Sequence, residues 1–413
     1  MQTYEEWANA WLGGMCAIGA GGEGSPIRHR DYVRGPWLQE LLDLPSDELV
    51  DPPPADEVVQ GWRAYLGAAK PVAVVKDQDT ARKYLTQAAG LQEGERVALP
   101  VNASRTLAEA VKRVKGVPLF VELDASLEFR PETPNAAFAS ILWAQPPAGL
   151  PVPKPLPNTA YLVDYASSLP VPGAAARAPE HVAAVVWDLH LNDPDWNNGA
   201  LVVFNDEGLA RRFAPLVTDE DAPDWTRAWS QLQRLQGETG LAARVLKIYD
   251  DAHLGFEAAV GLPLAYQEES LSLPYGLAIR VPAEVDVQTF YAYAVAENVP
   301  LVWLPHLQPA YFFAFQVTRD LALTMESAAN LSRWLISPLG PDFTEEEVRH
   351  AVLVVAKTAD YLGVRWYTNP ERAAWYGNLL VDWYGPSHDA FRPVVDLSSY
   401  GYPPVIDAVS VND

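Results

Sequence analysis

LQEGERVALPVNASRTLAEAVKRVKGVPLFVELD, residues 91–124, holds two short β-branched runs separated by an amphipathic stretch. RVALPV (96–101) and VPLFVEL (117–123) read as strands. SRTLAEAVKRVKG (104–116) between them reads as a helix that starts at a Ser104 cap and closes at Gly116. The same alternation continues outward in both directions. Upstream, PVAVV (71–75) precedes a helical TARKYLTQAAG (80–90) ending on Gly90. Downstream, ASILWA (139–144), AYLVDYA (160–166), VAAVVWDL (182–189) and ALVVF (200–204) extend the series. Strands and helices at this spacing predict an α/β protein built on a mostly parallel sheet covered on both faces.

Around that block the pattern changes. Residues 1–70 are rich in Gly, Pro and Trp and show no long periodic segment. GAGGEG (19–24) matches a dinucleotide fingerprint by letter. No strand precedes it, however, and Pro26 stands where a helix should open, so it reads as a loop. QPPAGLPVPKPLP (145–157) is an extended connector. Beyond residue 240, GLAIRV (276–281), a helix near 286–297 and PLVWL (300–304) outline a smaller α/β unit. TEEEVRHAVLVVAKTADYLG (344–363) is expected to be a helix with a capping box from Thr344 to Glu347. Val348, Val352, Val355, Ala359 and Leu362 fall on one face of it. Four parts follow: an N-terminal segment 1–60, a large α/β domain 61–240, a small C-terminal α/β domain 241–365 and an aromatic-rich tail 366–413. The tail includes Trp366, Trp375, Trp383, Tyr384, Tyr400 and Tyr402.

The totals narrow the function classes. A formal charge of −23 over 413 residues argues against nucleic acid and anionic membrane surfaces, which both call for a surplus of Lys and Arg. No apolar run approaches the roughly 20 residues of a membrane helix. The start, MQTYEEWANAWLGG, lacks a basic, apolar leader, so a cytoplasmic location is expected. One cysteine, Cys16, leaves no internal disulfide and no cysteine-based zinc cluster.

Seven segments in one order resemble the DegT/StrS family of sugar aminotransferases, pyridoxal-phosphate (PLP) enzymes of fold type I. They are WRAYLGAAKPVAVV (62–75), residues 91–124, YLVDYA (161–166), GALVVFNDEGLARRF (199–213), LQGETGLAARVL (235–246), WLPHLQPAY (303–311) and LISPLGPDFTEEEV (335–348). The resemblance implies a large mostly parallel-sheet domain, a smaller C-terminal domain and a homodimer with its cleft at the subunit interface.

It also implies a Schiff-base lysine in the loop before ALVVF, because the cofactor aldehyde needs an amine nucleophile. In VVWDLHLNDPDWNNGALVVF (185–204) that place holds Asn192, or Asp193 if the loop is one residue shorter. No lysine occurs between Lys154 and Lys247. Other implied contacts are replaced as well. The Ser-Gly-Thr phosphate turn becomes Lys76-Asp77-Gln78-Asp79, whose carboxylates would repel an anion that Lys76 only partly offsets. The ring-stacking aromatic falls between Asn102 and Ser104. The serine before the lysine becomes Trp187, an Asn-x-Arg segment becomes Trp229-Ser230-Gln231, and a glutamine becomes Ser167. Asp164 alone matches, as the carboxylate that pairs with the pyridine nitrogen.

The expectation is therefore a degenerate relative without transaminase activity and without a cofactor, PLP or its aminated form PMP being the group if there is one. Such a chain would act as a ligand-binding or assembly homodimer, with a sugar nucleotide as the candidate ligand. By resemblance His306, Tyr311, Trp187 and Trp229 line the cleft, while Asp164, Lys76 and Ser104 are the candidate cofactor contacts. Two alternatives stand beside it. The deoxysugar 3-dehydrases of the same family replace the lysine by histidine, which makes His190 a candidate base. A true aminotransferase with a relocated cofactor site would use Lys76, Asp164 and His190. Asp188, His190, Asp193 and Asp195 supply metal-binding atoms, but at no standard metal spacing, and read as a solvated turn; no metal is expected.

Overall fold

The computed structural model of the chain describes residues 49–101, 103, 105–124, 127–130, 139–146, 152–155, 159–165, 168–189, 199–237, 240–260, 270–273, 276–282, 284–296, 299, 301–303 and 333–338. Ala351, Val355, Thr358 and Leu362 are described as well. Its large sheet contains β1 (Val72–Val75), β2 (Arg96–Pro100), β3 (Val117–Val121), β4 (Ile141–Ala144), β5 (Ala160–Tyr165), β6 (Val182–Asp188) and β7 (Ala200–Phe204). The spatial order is β1-β7-β6-β5-β4-β2-β3. β3, β2, β4, β5 and β6 pair in parallel, and β7 alone runs against its neighbours β6 and β1. The expected mostly parallel sheet is present, with one reversed strand.

Every residue of β4 and β7 is buried. Helices cover the sheet, so its strands carry continuous apolar runs rather than an alternation of apolar and polar residues. The helices of this part are α1 (Ala55–Tyr65), α2 (Gln78–Ala88), α3 (Arg105–Arg113), the short α4 (Ala174–Arg177), α5 (Glu207–Phe213) and α6 (Trp225–Leu235). α2 ends as expected, with Gly90 in the left-handed conformation at φ 91°. α3 ends differently: the left-handed residue is Lys115, at φ 63°, one position before the expected Gly116.

α1 is a short helix of 11 residues within the stretch 1–70, which reads as having no long periodic segment. Val58 and Trp62, one turn apart, are buried, and the Trp62 indole N–H donates to the Ala228 carbonyl of α6 at 3.2 Å. A side chain at Gly61 would meet Leu232 at 2.8 Å, so the glycine permits this close approach. Three prolines before the helix and its short length hid the pattern. The domain boundary expected at residue 60 falls inside α1.

α7 (Leu241–Val260) follows, and its residues Leu241, Ala242 and Val245 join the core of the large sheet. The second sheet consists of β8 (Gly276–Arg280), β9 (Val302–Trp303) and β10 (Trp334–Pro338), all antiparallel, in the order β8-β10-β9. α8 (Val287–Ala296) lies between β8 and β9 in the chain, at the place where a helix is expected. β10 is a strand that the sequence reading did not draw. Ala351, Val355 and Thr358 are helical and buried, so the stripe expected over 344–363 includes Val355. Val348, Val352, Ala359 and the aromatic tail lie outside the described residues. Among the described residues no helix is long and apolar enough to cross a membrane.

Candidate functional site

Parallel strands deliver their C-terminal ends to one edge of a sheet, and ligand sites of α/β proteins form there. At this edge β1 runs into Lys76 and α2, β5 ends at Asp164 and Tyr165, and β6 ends at Trp187 and Asp188. In the sheet β7 and β6 separate β1 from β5. α2 spans the gap, packing against β1, β7 and β6. Gln78 and Arg82, four residues apart on α2, therefore share a face and converge on Asp164.

Asp164 is fully buried, and both of its carboxylate oxygens are occupied. The Gln78 amide donates to Oδ1 at 2.6 Å, and the Arg82 Nε donates to Oδ2 at 2.7 Å. Burial pushes the Asp164 carboxyl up from the ordinary aspartate range, while the guanidinium and the two hydrogen bonds hold it down against that. The guanidinium is itself only 2% exposed. Its Nη1 donates to Thr106 Oγ1 at 2.9 Å and reaches Asp79 Oδ1 at 3.4 Å. Asp79 then accepts from Arg113 at 2.7 Å, a contact that raises the Arg113 pKa. Charges thus alternate outward from the sheet, through Asp164, Arg82 and Asp79 to Arg113. Among the described residues Nη2 of Arg82 has no hydrogen-bond partner.

The N-terminus of α2 is capped by its own chain. Asp77 is the cap, its carboxylate accepting from the Thr80 N–H at 2.6 Å. Lys76 is half-buried and held through its main chain: its N–H donates to Asp221 at 2.7 Å and its carbonyl accepts from Gly199 at 3.1 Å.

Trp187, expected to line the cleft, is a core residue. It is fully buried, stacks on Tyr165 with ring centroids 6.1 Å apart, and donates its indole N–H to the Leu271 carbonyl at 3.1 Å. A broad apolar ring on an inner strand is driven into the core, and its single donor finds a backbone acceptor there. The segment carrying Leu271 stitches this edge shut, with Ser168 donating to Leu273 and Leu273 N–H donating to Leu169. Trp229 is half-buried on α6 and packs beside Gly61 of α1. Asn192, Asp193, His190, Asp195, Ser104, His306 and Tyr311 lie outside the described residues. Among the described residues no three His, Cys, Asp or Glu side chains cluster as metal ligands would.

The structure thus brings Asp164 together with Gln78, which the resemblance sets in the phosphate turn, and with Arg82, which the sequence reading did not single out. Their signal was present. They stand at helical spacing, and Arg82 interrupts the inward face formed by Ala81, Leu85 and Ala88, which requires a buried acid nearby.

The fold is that of the fold type I sugar aminotransferases. A DegT DnrJ EryC1 StrS aminotransferase from Brucella abortus superposes with a TM-score of 0.53 at 16% identity, over 76% of this chain and 92% of that one. NtdA from Bacillus subtilis, solved with bound PMP, gives 0.57 at 14% identity, over 83% and 84% of the two chains. The PLP form of a putative sugar aminotransferase from Streptococcus pneumoniae gives 0.57 at 14% identity, over 80% and 95%. No protein-family model and no curated protein matches the sequence.

The described residues do not fit PLP or PMP in the pose that the resemblance implies. That pose needs the Asp164 carboxylate to face a ring nitrogen, and here each of its oxygens already accepts from a side chain of α2, one of them the Arg82 cation. It needs free N–H groups at the α2 terminus, where the Asp77 carboxylate already accepts from Thr80 and adds negative charge. It needs a small hydroxyl-bearing residue where Trp187 is buried.

Proposed function

We propose that this chain keeps the sugar-aminotransferase scaffold without its chemistry. It works as a homodimeric binding or assembly protein whose cleft takes a small molecule of the sugar-nucleotide class. The observation that carries this reading is Asp164, whose two oxygens are filled by Gln78 and Arg82. Supporting it, the sequence offers Asn192 or Asp193 where an imine-forming lysine would stand. Neither side chain is a competent nucleophile toward an aldehyde. Its acidic surface suits a protein of the cytoplasm that avoids nucleic acid and anionic membranes.

The test is a near-visible absorbance titration of the purified protein with PLP and, separately, with PMP. The expected result is no saturable band with either. A saturable band that survives desalting sinks the reading. If only the aminated form gives it, the histidine-dependent dehydration chemistry at His190 becomes the better account. Light scattering then reports the dimer, and calorimetry with a nucleoside-diphosphate sugar reports whether the cleft is used.

A further inference from the structure

We propose that Arg82 is a built-in counter-cation: it stands at Asp164 in the place where cofactor-dependent relatives would present a pyridinium nitrogen, so this fold closes around its buried carboxylate with no cofactor. The inference rests on the non-enzymatic reading above and is separated from it by the experiment below.

A carboxylate with no solvent exposure in the middle of a seven-stranded sheet cannot stand alone, because an unpaired buried charge is strongly disfavoured. Either protonation or a cation must neutralise it. Here the cation belongs to α2, which also forms one wall of the same edge, so charge neutralisation is part of folding rather than of ligand binding. Arg82 is fixed in this position. Nε is on Asp164, Nη1 is on Thr106 and within reach of Asp79, and Asp79 is balanced in turn by Arg113. Swinging the guanidinium away would break its contacts with Asp164, Thr106 and Asp79 at once. Gln78 donates to the other carboxylate oxygen, so both oxygens accept from side chains of α2. The engagement through Nε alone leaves Nη2 unpartnered, where a fork-to-fork pair would have used two donors on one acid. Arg82 therefore approaches Asp164 with one N–H on one oxygen, as a ring nitrogen would.

The experiment measures thermal unfolding of the wild type, Arg82→Met and the double variant Arg82→Met/Asp164→Leu, each with and without pyridoxamine. Pyridoxamine carries the pyridine nitrogen. It has neither a phosphate for Asp77 to repel nor an aldehyde for surface lysines to capture. Arg82→Met is expected to lower Tm by about 10 °C, and the double variant to recover part of that loss because no stranded carboxylate remains. Pyridoxamine is expected to raise the Tm of Arg82→Met saturably while leaving the wild type and the double variant unmoved. A folded Arg82→Met that pyridoxamine does not shift overturns the inference and leaves the proposed function standing. A saturable band in the wild-type cofactor titration overturns the function itself. If Arg82→Met does not fold, the double variant decides: folding supports the inference, and failure to fold overturns it.

Discussion

Two arginine–aspartate pairs lie on one continuous line of charges, and both are 2.7 Å long. Arg82–Asp164 sits at 2% and 0% exposure, and Arg113–Asp79 at 58% and 38%. Equal geometry hides unequal roles. At the surface the pair competes with water and salt and contributes under about 1 kcal/mol. In the interior the gain from pairing is offset by desolvation, but losing one partner strands a charge and costs about 3–5 kcal/mol. Burial, not distance, decides which pair the fold depends on.

The largest effect is therefore expected for Arg82→Met, a loss of about 3–5 kcal/mol in denaturant unfolding. A loss below about 1 kcal/mol would mean that Asp164 is held neutral, and the two pairs would then be energetically alike. Next comes Gln78→Leu, which leaves Arg82 in place but opens Asp164 Oδ1. A hydrogen bond to a charged acceptor of this kind is worth about 1.5–3 kcal/mol.

These two side chains also show where sequence reading stopped. The large sheet was legible because β-branched runs such as Val72–Val75 and Ala200–Phe204 are short, apolar throughout and spaced by helices. Asp164 was legible as a candidate because the resemblance matches it to the carboxylate that pairs with the pyridine nitrogen. Its partners were not: Gln78 stands in a turn that the resemblance assigns to a phosphate, and Arg82 lies at no position that the resemblance names. Its role appears only when α2 is laid across β7 and β6, which brings together residues 82 positions apart in the chain. Trp187 is set in the cleft by the resemblance, while the indole's volume and single donor place it in the core against Tyr165 and Leu271.

A half-buried case falls between the two pairs. Asp221 accepts from the Thr218 N–H, the Thr218 hydroxyl and the Tyr84 hydroxyl, which ties the turn after α5 to α2. Burial pushes its carboxyl up, but these hydrogen bonds and the Lys83 charge outweigh that and hold it below the ordinary aspartate range. A depressed folded pKa means that the stabilisation is fully present above about pH 4, the unfolded value, and is lost as pH falls through the lower folded value. Asp221→Asn should accordingly destabilise at neutral pH, and its difference from wild type should shrink as pH drops below about 4. A difference independent of pH would show that the charge on Asp221 contributes nothing.

The smallest effect is expected at the outer pair. Arg113→Met removes the exposed partner of Asp79 and leaves Asp79 beside Arg82, so the buried Arg82–Asp164 pair stays intact. The expected cost is under about 1 kcal/mol, and about 1 M salt should erase most of it, since the Debye length there is roughly 3 Å. Salt should leave the Arg82→Met deficit nearly unchanged, because ions do not enter a site from which water is excluded. The decisive measurement is the ratio of the two losses at low and high salt. If both fall together, Asp79 couples the pairs and the line of charges acts as one unit. If only the outer one falls, Asp79 is a surface residue that happens to reach inward, and Arg82 holds Asp164 with Gln78 and Thr106 alone.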